Sequence, residues 1–249
     1  MIKQSSSAIV TGGASGLGEA TVRLLREQGM HVVFFDRQPN DELAKETGAV
    51  FSQGDVTKSE DIEAAIAKAN ELAPLRAVVH CAGILGGARI CGKEGPHDLA
   101  SFEKIIQVNL IGTFNVLRLC GHAMSQSTTD NPDGARGVII TTASIAAFEG
   151  QIGQAAYSAS KAGVAGMTLP AAREFARFGI RVVTIAPGLF ETPMMGGLNE
   201  KAAAQLQASV VYPTRLGKAS EYAQMALSII DNPMLNGCTI RLDGAVRLI

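Results

Sequence analysis

A tyrosine and a lysine four residues apart, Tyr157 and Lys161 in the stretch AAYSASKAG, form the pair with the clearest chemical potential in the sequence. Residues i and i+4 lie on the same face of a helix, so the two side chains are expected to be neighbours. A nearby ammonium group favours a phenolate and lowers the tyrosine pKa. The pair therefore predicts a base that takes a proton from a substrate hydroxyl, although a packed Tyr–Lys pair on a helix surface has the same spacing.

Two polar residues outside this pair extend the candidate site. Ser144 follows a predicted strand at 138–142 and precedes Tyr157 by 13 residues. Ligands of doubly wound sheets bind at the carboxyl ends of the strands, so its hydroxyl is placed to donate to a substrate oxygen. Asn109 lies within a long predicted helix. If its amide is buried it needs a hydrogen-bond partner, and an exposed helix asparagine is the alternative.

A glycine-rich turn, TGGASGLG at 11–18, follows an apolar run and opens a helical pattern. Its glycines Gly12, Gly16 and Gly18 permit a tight turn, close approach of the main chain to a pyrophosphate and close packing of helix on strand. The free N–H groups at the helix start favour phosphate binding. The spacing G-x-x-x-G-x-G is wider than the common dinucleotide motif, and a purely structural turn is the alternative.

Acidic residues at the ends of the next two predicted strands extend this dinucleotide site. Asp36 follows Gly18 by 18 residues, where a carboxylate accepts hydrogen bonds from the adenosine ribose. The same charge repels a 2′-phosphate and favours NAD over NADP, whereas Arg37 is able to pair with such a phosphate. Asp55 and Val56 end the third strand, on the side where the adenine would lie, and a helix cap or turn is the alternative role for Asp55.

The elements that must position these residues alternate along the chain. Strands are predicted at 7–10, 31–35, 50–55, 77–80, 138–142, 182–185 and 239–242. Helices are predicted from about residue 20 and at 59–72, 102–124, 153–178 and 221–230, with Pro170 expected to kink or interrupt the fourth of these five. The alternation predicts an α/β fold, a single doubly wound (Rossmann-type) domain over 1–249 with a mostly parallel seven-stranded sheet and helices on both faces.

Three stretches depart from this alternation. Residues 84–98 and 125–136 are polar excursions from the core, and residues 188–212 are expected to form a flap over the substrate. Met194, Met195, Gly196 and Gly197 in the flap indicate an adaptable apolar lid, although paired methionines also occur in ordinary packing.

Composition and charge exclude several classes of protein. The formal net charge of −1 provides no basic surface for nucleic acid, and no apolar run is long enough to span a membrane. Cysteines at 81, 91, 120 and 238 lack zinc spacing, so no metal is expected, and they are interpreted as small buried side chains in a reducing compartment. The first residues carry no signal or targeting pattern, so we expect a cytoplasmic protein.

Together these residues resemble the short-chain dehydrogenase/reductase family. The motifs occur in the family's order and spacing over essentially the whole chain: TGGASGLG, Asp36, Asp55-Val56, Cys81-Ala82-Gly83, Asn109, Ser144, Tyr157-x-x-x-Lys161 and Pro187-Gly188. His80-Cys81 is a departure, because the family usually has two asparagines there. We therefore expect the turn to survive without the asparagine side-chain contacts.

The resemblance implies a role for each residue of the site. Tyr157 would be the base, Ser144 would stabilise the substrate oxygen, Lys161 would lower the Tyr157 pKa and bond the nicotinamide ribose, and Asn109 would support a proton-relaying water. The cofactor-binding residues would be Gly12, Ser15, Gly16, Leu17, Gly18, Asp36, Asp55, Val56, Cys81, Ala82, Gly83, Tyr157, Lys161, Pro187, Phe190 and Thr192. The substrate would contact Ser144, Gln154 and Tyr157.

The resemblance also implies an activity. Stretches such as AAFEGQIGQAAYSASKAG, IAPGLFETPM and GCTIRLDGAVR are similar to family members that oxidise (S)-3-hydroxyacyl-CoA to 3-ketoacyl-CoA with NAD, in fatty-acid or branched-chain acid breakdown. A homotetramer is implied as well. A steroid or other secondary alcohol as substrate, an NADPH-linked ketoacyl reductase and a non-catalytic nucleotide-binding subunit remain as alternatives. The intact Ser144, Tyr157 and Lys161 argue against the last of these.

Overall fold

The computed structural model describes residues 5–93, 95–129, 131–193 and 207–248. Strands and helices alternate as expected. The strands are β1 (Ser7–Thr11), β2 (His31–Asp36), β3 (Val50–Gln53), β4 (Leu75–His80), the two-residue β5 (Cys91–Gly92) and β6 (Gly95–Pro96), β7 (Gly137–Thr142), β8 (Ile180–Pro187) and β9 (Thr239–Leu242). The helices are α1 (Gly16–Glu27), α2 (Asp41–Thr47), α3 (Ser59–Leu72), α4 (Leu99–Ile106), α5 (Gly112–Ser125), α6 (Ala155–Phe175) and α7 (Ala219–Asp231).

In the described chain, seven strands form one parallel sheet in the order β3-β2-β1-β4-β7-β8-β9. The direction of winding reverses between β1 and β4. Ligands of such sheets bind at this reversal, beyond the carboxyl ends of the strands. The predicted fold class is confirmed, and the glycine-rich turn after β1 lies at this ligand-binding edge.

Each face of the sheet is covered by helices. Strands β1 and β7 are buried along their whole length, which explains why their residues read as continuous apolar runs. One core packs α1, α2 and α7 against the sheet, with Leu25, Leu43 and Tyr222 among its fully buried side chains. The opposite core packs α3, α5 and α6, with Cys120 and Met124 fully buried.

Three features of the helices differ from, or add to, the sequence predictions. The short helix α2 was not predicted, yet Asn40 Oδ1 accepts a hydrogen bond from Leu43 N at 2.9 Å and Gly48 ends the helix in the left-handed region. The long helix predicted at 102–124 contains a π-helical turn, Gln107–Ile111, between α4 and α5. Pro170 was expected to kink or interrupt its helix, and α6 continues through it without interruption.

No helix in the described part of the chain is both long enough and apolar enough to cross a membrane.

His80, at the carboxyl end of β4, joins the sheet to α5 through both of its ring nitrogens. Nδ1 lies 2.7 Å from Thr11 Oγ1 at the end of β1, and Nε2 lies 2.9 Å from Thr113 Oγ1 on α5. Burial, aided by the charge of Lys161, lowers the pKa of His80 to about 3. His80 therefore contacts Thr11 and Thr113 through its ring, at a position where the family usually has asparagine.

The buried neutral imidazole makes stability sensitive to acid. A histidine with a folded-state pKa near 3 and an unfolded-state pKa near 6.5 binds more protons when unfolded, so stability falls as pH decreases between those values. By pH 4.5 this amounts to about 2–3 kcal/mol. We expect the free energy of unfolding, measured with urea, to fall between pH 7 and 4.5 in wild type. In His80→Asn the fall should be smaller by about that amount. His31→Asn, at an exposed position on β2, serves as the control and should retain the wild-type loss. Equal losses in His80→Asn and wild type would contradict the interpretation.

Candidate active site

A groove of about 300 Å³ follows the carboxyl ends of β1, β2, β3 and β4. The glycine-rich turn forms its floor and depends on the absence of side chains at two positions. Gly12 has φ of +64°, and a Cβ there would lie 2.8 Å from Ala82 N. A Cβ at Gly18 would lie 2.0 Å from the Gly12 carbonyl oxygen. The turn therefore brings the start of α1 closer to the strand ends than any other residue type permits.

The start of α1 is available to an anion. Ser15 occupies the N-cap position, but its side chain makes no capping hydrogen bond. Ser15, Gly16, Leu17 and Gly18 all line the groove. Free N–H groups and the positive end of the helix dipole favour a phosphate there. These observations fit the pyrophosphate of a dinucleotide, as the sequence predicts.

Asp36 and Arg37 lie at the far end of the groove with different environments. Asp36 Oδ2 accepts a hydrogen bond from Ala14 N at 3.1 Å, which fixes the carboxylate beside the turn. Arg37 is 75% exposed, and its Nε lies 4.0 Å from Asp55 Oδ2. The structure therefore positions the Asp36 carboxylate in the groove, while the Arg37 guanidinium lies near a second carboxylate.

Asp55 and Val56 also line the groove, after β3. Burial favours the neutral form of Asp55, but hydrogen bonds from Thr57 N and Oγ1 and the charge of Arg37 outweigh it and lower the pKa of Asp55. Asp55 is therefore also a turn residue, as its alternative reading suggested. Val56 is 4% exposed and forms part of the apolar wall suited to an adenine ring.

Cys81, Ala82 and Gly83 continue from β4 along the groove. The Cys81 main-chain N–H donates to the Thr11 carbonyl at 3.0 Å, which joins the turn after β4 to the end of β1. Its thiol lies 3.5 Å from Tyr222 Oη, and burial raises the thiol pKa to about 11. A thiol of that pKa is no nucleophile at neutral pH, so Cys81 contributes shape and main-chain contacts.

A second cavity, of about 310 Å³, opens from the groove and contains the predicted catalytic residues. Ser144, Tyr157 and Lys161 all line it. It shares walls with the groove at Leu17, Cys81, Gly83, Ile84 and Thr192. A molecule in the groove and a molecule in the cavity would therefore be in direct contact.

Tyr157 and Ser144 are hydrogen-bonded to one another in this cavity. Burial raises the pKa of Tyr157 above its ordinary value, and the Ser144 hydroxyl partly offsets the shift. Lys161 is not among the groups that shift the Tyr157 pKa in the protein without a bound cofactor. The expectation that Lys161 lowers this pKa is therefore not supported here. Lys161 Nζ lies 5.8 Å from the centroid of the tyrosine ring.

Lys161 is 5% exposed and donates from Nζ to the Thr142 carbonyl at 2.8 Å. Burial lowers the pKa of its ammonium group to about 8, with a small opposing contribution from Cys81. Its charge is therefore much more easily lost than that of a surface lysine, and one main-chain carbonyl fixes its position.

Asn109 lies in the π-helical turn and is completely buried. Its Nδ2 donates to the Ile84 carbonyl at 3.0 Å and to Ser160 Oγ at 3.2 Å, and its Oδ1 accepts from Ile84 N at 2.8 Å. The exposed alternative is therefore wrong. Because the whole amide is engaged, the Asn109 side chain fixes the Ile84 segment against α6, and its role in a proton relay stays a prediction.

One directed chain of hydrogen bonds links Asn109 to the glycine-rich turn. The Thr113 hydroxyl donates to the Asn109 carbonyl, so it must accept from Nε2–H of neutral His80. Nδ1 of His80 then accepts from the Thr11 hydroxyl, which accepts in turn from Ala82 N–H at 3.3 Å. The chain assigns the Nε2–H tautomer to His80.

The remaining predicted site residues also lie at the cavity. Pro187, Phe190 and Thr192 line it beyond β8, and a Cβ at Gly16 would lie 3.4 Å from Thr192 Cβ. Gln154 lines it from the position before α6. Of the predicted flap 188–212, residues 194–206, including Met194, Met195, Gly196 and Gly197, lie outside the described residues.

Sequence reasoning missed several lining residues. Ile84 lines both the groove and the cavity, and its position directly after Gly83 is a signal that could have identified it. Lys104 of α4 adds a positive charge to the groove, and Leu248 lines the cavity. Leu248 directly follows the stretch GCTIRLDGAVR, and that position is a signal that could have identified it. Among the residues that the structure describes, no three His, Cys, Asp or Glu side chains cluster as a metal site requires.

Comparison with known proteins identifies relatives over the full length. Residues 6–203 match the family model for short chain dehydrogenases. The 3-hydroxyacyl-CoA dehydrogenase type-2 of Homo sapiens is 50% identical, covering 97% of this chain and 95% of that protein. The protein of the same name from Drosophila melanogaster is 49% identical, covering 100% and 99%. The crystal structure of 3-hydroxyacyl-CoA dehydrogenase type-2 from Mycobacterium avium matches with a TM-score of 0.95 at 45% identity, covering 98% of this chain and 97% of that one.

The family match covers most of the chain, and the sheet order and the relatives agree with it. The chain therefore belongs to the short-chain dehydrogenase family of nicotinamide-dependent oxidoreductases.

Proposed function

We propose that this protein interconverts 3-hydroxyacyl-CoA and 3-ketoacyl-CoA with NAD as its cofactor. The observation that carries the proposal is the cavity in which Ser144, Tyr157 and Lys161 meet, open along one side to a groove suited to a dinucleotide. The substrate class is supported by the relatives named 3-hydroxyacyl-CoA dehydrogenase type-2, which match at about half identity over nearly the whole chain.

The cofactor-binding residues proposed are those predicted from the sequence. They line the groove, the adjoining cavity or both: Gly12, Ser15, Gly16, Leu17, Gly18, Asp36, Asp55, Val56, Cys81, Ala82, Gly83, Tyr157, Lys161, Pro187, Phe190 and Thr192. Asp36 supports NAD over NADP, because a fixed carboxylate would accept ribose hydroxyls and repel a 2′-phosphate.

The chain's own residues supply orientation and proton transfer. We assign Tyr157 as the group that takes the hydroxyl proton in oxidation and returns it in reduction, with Ser144 donating to the same substrate oxygen. Lys161, fixed by the Thr142 carbonyl, holds positive charge beside Tyr157. Gln154 contributes to the substrate wall, and Asn109 fixes the Ile84 segment. A bound nicotinamide would accept or donate the hydride and, when oxidised, add positive charge that favours the phenolate.

We also propose a homotetramer. Support comes from apolar side chains that the single chain leaves partly exposed on its helices, including Phe114 on α5 at 49% and Leu169 on α6 at 44%. Exposed apolar surface of this kind favours association. Light scattering coupled to size-exclusion chromatography measures the mass, and a monomer of 26.0 kDa would contradict the proposal.

The first prediction concerns substrate and cofactor together. We expect acetoacetyl-CoA to be reduced rapidly with NADH and slowly with NADPH, measured as the fall of absorbance at about 340 nm where reduced nicotinamide absorbs. Activity with NADPH alone would support a ketoacyl reductase in which Arg37 outweighs Asp36 in selecting the cofactor. Turnover of steroids or simple secondary alcohols, without turnover of acyl-CoA, would show that the proposed substrate class is wrong. Binding of NADH without any turnover would support a non-catalytic subunit.

The second prediction concerns Tyr157. Removing its hydroxyl in Tyr157→Phe removes the proposed acid–base group, so kcat should fall by about 10²–10⁴-fold while NADH affinity, measured by fluorescence titration, stays nearly unchanged. Ser228→Ala is the control, because it removes a hydroxyl from an exposed position on α7 outside the groove and the cavity and should retain full activity. A Tyr157→Phe kcat within about tenfold of wild type would eliminate Tyr157 as the base.

The third prediction concerns Asp36. Asp36→Asn removes the charge but retains an oxygen for Ala14 N. Because a charged hydrogen bond contributes about 1.5–3 kcal/mol, kcat/KM with NADH should fall by about tenfold or more, and the preference for NADH over NADPH should shrink. Asp41→Asn, at an exposed position in the first turn of α2, controls for net charge. An unchanged cofactor preference in Asp36→Asn would show that Asp36 does not select NAD.

A further inference from the structure

The segment that follows β9, residues 243–248, reverses direction and returns toward the catalytic cavity. Gly244 and Ala245 both have positive φ, at 57° and 64°, and Val246 N donates to the Asp243 carbonyl at 3.1 Å. This is the geometry of a tight turn with two left-handed residues. Ala245 pays a conformational cost in the left-handed region, so interactions elsewhere must hold the turn.

Beyond the turn, the segment enters the interior. Val246 is fully buried, and Leu248 lines the catalytic cavity together with Ser144 and Tyr157. Ile145 and Leu189 contribute further apolar surface to the same wall. An apolar wall of this kind suits an alkyl group better than a polar thioester or nucleotide.

Glu149 holds the returning segment. Its carboxylate receives two parallel hydrogen bonds from Arg241, at 2.9 Å to Oε1 and 3.0 Å to Oε2. Arg247 Nε, on the residue before Leu248, lies 3.3 Å from Oε1, and the Leu248 main-chain N–H contributes to the lowered pKa of Glu149. Glu149 lies just beyond the short helical turn Ile145–Ala147, which follows Ser144. The same carboxylate therefore fixes Leu248 relative to the segment that carries a catalytic hydroxyl.

Arg241 and Arg247 complete the attachment from the other side. Arg241 Nε donates to Asp243 Oδ2 at 2.7 Å, and both arginines donate to the Val246 carbonyl. The Gly244 carbonyl accepts from Val211 N and Tyr212 N, so the returning segment also contacts the described end of the predicted flap. The segment thus lies between residues 211–212 and the cavity.

Stability alone is a weak explanation for this cluster. Glu149 and Arg241 are about one-quarter exposed, and ion pairs at such positions contribute little to folding. Bidentate Arg–carboxylate pairs are, however, geometrically specific. Their effect here is to fix the position of a short segment that carries one cavity-lining side chain.

We propose that Leu248 determines the size of the substrate's alkyl group, and that Glu149 is the positioning residue that holds Leu248 in the cavity wall. This inference deepens the proposed function and rests on it for the identity of the substrate series. Removing bulk at Leu248, or releasing it from Glu149, would open the same part of the cavity to longer alkyl groups.

The test compares kcat/KM for 3-ketodecanoyl-CoA and for acetoacetyl-CoA with NADH. We expect Leu248→Ala to raise the ratio of the long to the short substrate by about tenfold, and Leu248→Phe to lower it, because a few methylene groups in a hydrophobic pocket account for such factors. Glu149→Gln should raise the ratio in the same direction. The double variant should add little beyond Leu248→Ala, because both changes act through one side chain.

A matched control separates position from charge. Glu46→Gln removes the carboxylate of another arginine pair, with Arg23, outside the linings of both the groove and the cavity. It should leave the ratio unchanged. Equal losses of kcat/KM for both substrates in Glu149→Gln would indicate a purely structural role and overturn the proposal, as would an unchanged ratio in Leu248→Ala.

A readout without substrate distinguishes failure of this inference from failure of the proposed function. Hydrogen exchange of the peptide containing 243–248 should accelerate in Glu149→Gln and stay unchanged in Glu46→Gln. Unchanged exchange in Glu149→Gln would overturn the positioning role. If wild type reduces no acyl-CoA, the proposed function fails, and the same ratio is measured with 2-decanone and 2-butanone. An unchanged ratio in Leu248→Ala, or no turnover of either ketone, would then overturn the role of Leu248.

Discussion

The hydrogen bond from the Lys161 ammonium to the Thr142 carbonyl is the interaction on which the catalytic cavity depends. It joins the carboxyl end of β7 to α6, and therefore fixes the helix that carries Tyr157 relative to the strand that leads to Ser144. Burying a lysine is costly, and the lowered pKa of its ammonium shows that cost directly.

A second set of interactions serves the same purpose from the opposite side of the winding reversal. The chain Ala82–Thr11–His80–Thr113–Asn109 connects the start of the glycine-rich turn to the π-helical turn. Extra residues in a helical turn cost hydrogen bonds and are often found at functional sites. Here the engaged amide of Asn109 explains the turn, because it brings the Ile84 segment against α6. The two sets are joined, because the Thr142 hydroxyl donates to the His80 carbonyl at 2.6 Å.

Much of this arrangement could be predicted from local sequence signals. Alternating apolar runs gave the sheet and its helices, and the spacing of Tyr157 and Lys161 placed both at one cavity. The electrostatics could not be predicted, because the pKa of Tyr157 depends on burial that no spacing encodes. The role of His80 was missed for a similar reason, since both its partners, Thr11 and Thr113, are distant in sequence. Likewise, Leu248 lines the cavity only because a turn beyond β9 reverses the chain.

The raised pKa of the Cys81 thiol has a consequence for oxidative damage. Peroxides and disulfides react with thiolates, and a thiol held protonated beside the reaction centre offers them almost no reactive form. Cys120 is protected in the same way, whereas Cys91 is exposed on the two-residue strand β5. Oxidants would therefore modify the exposed Cys91 thiol first. The catalytic cavity beside Cys81 would keep its shape while Cys91 is oxidised.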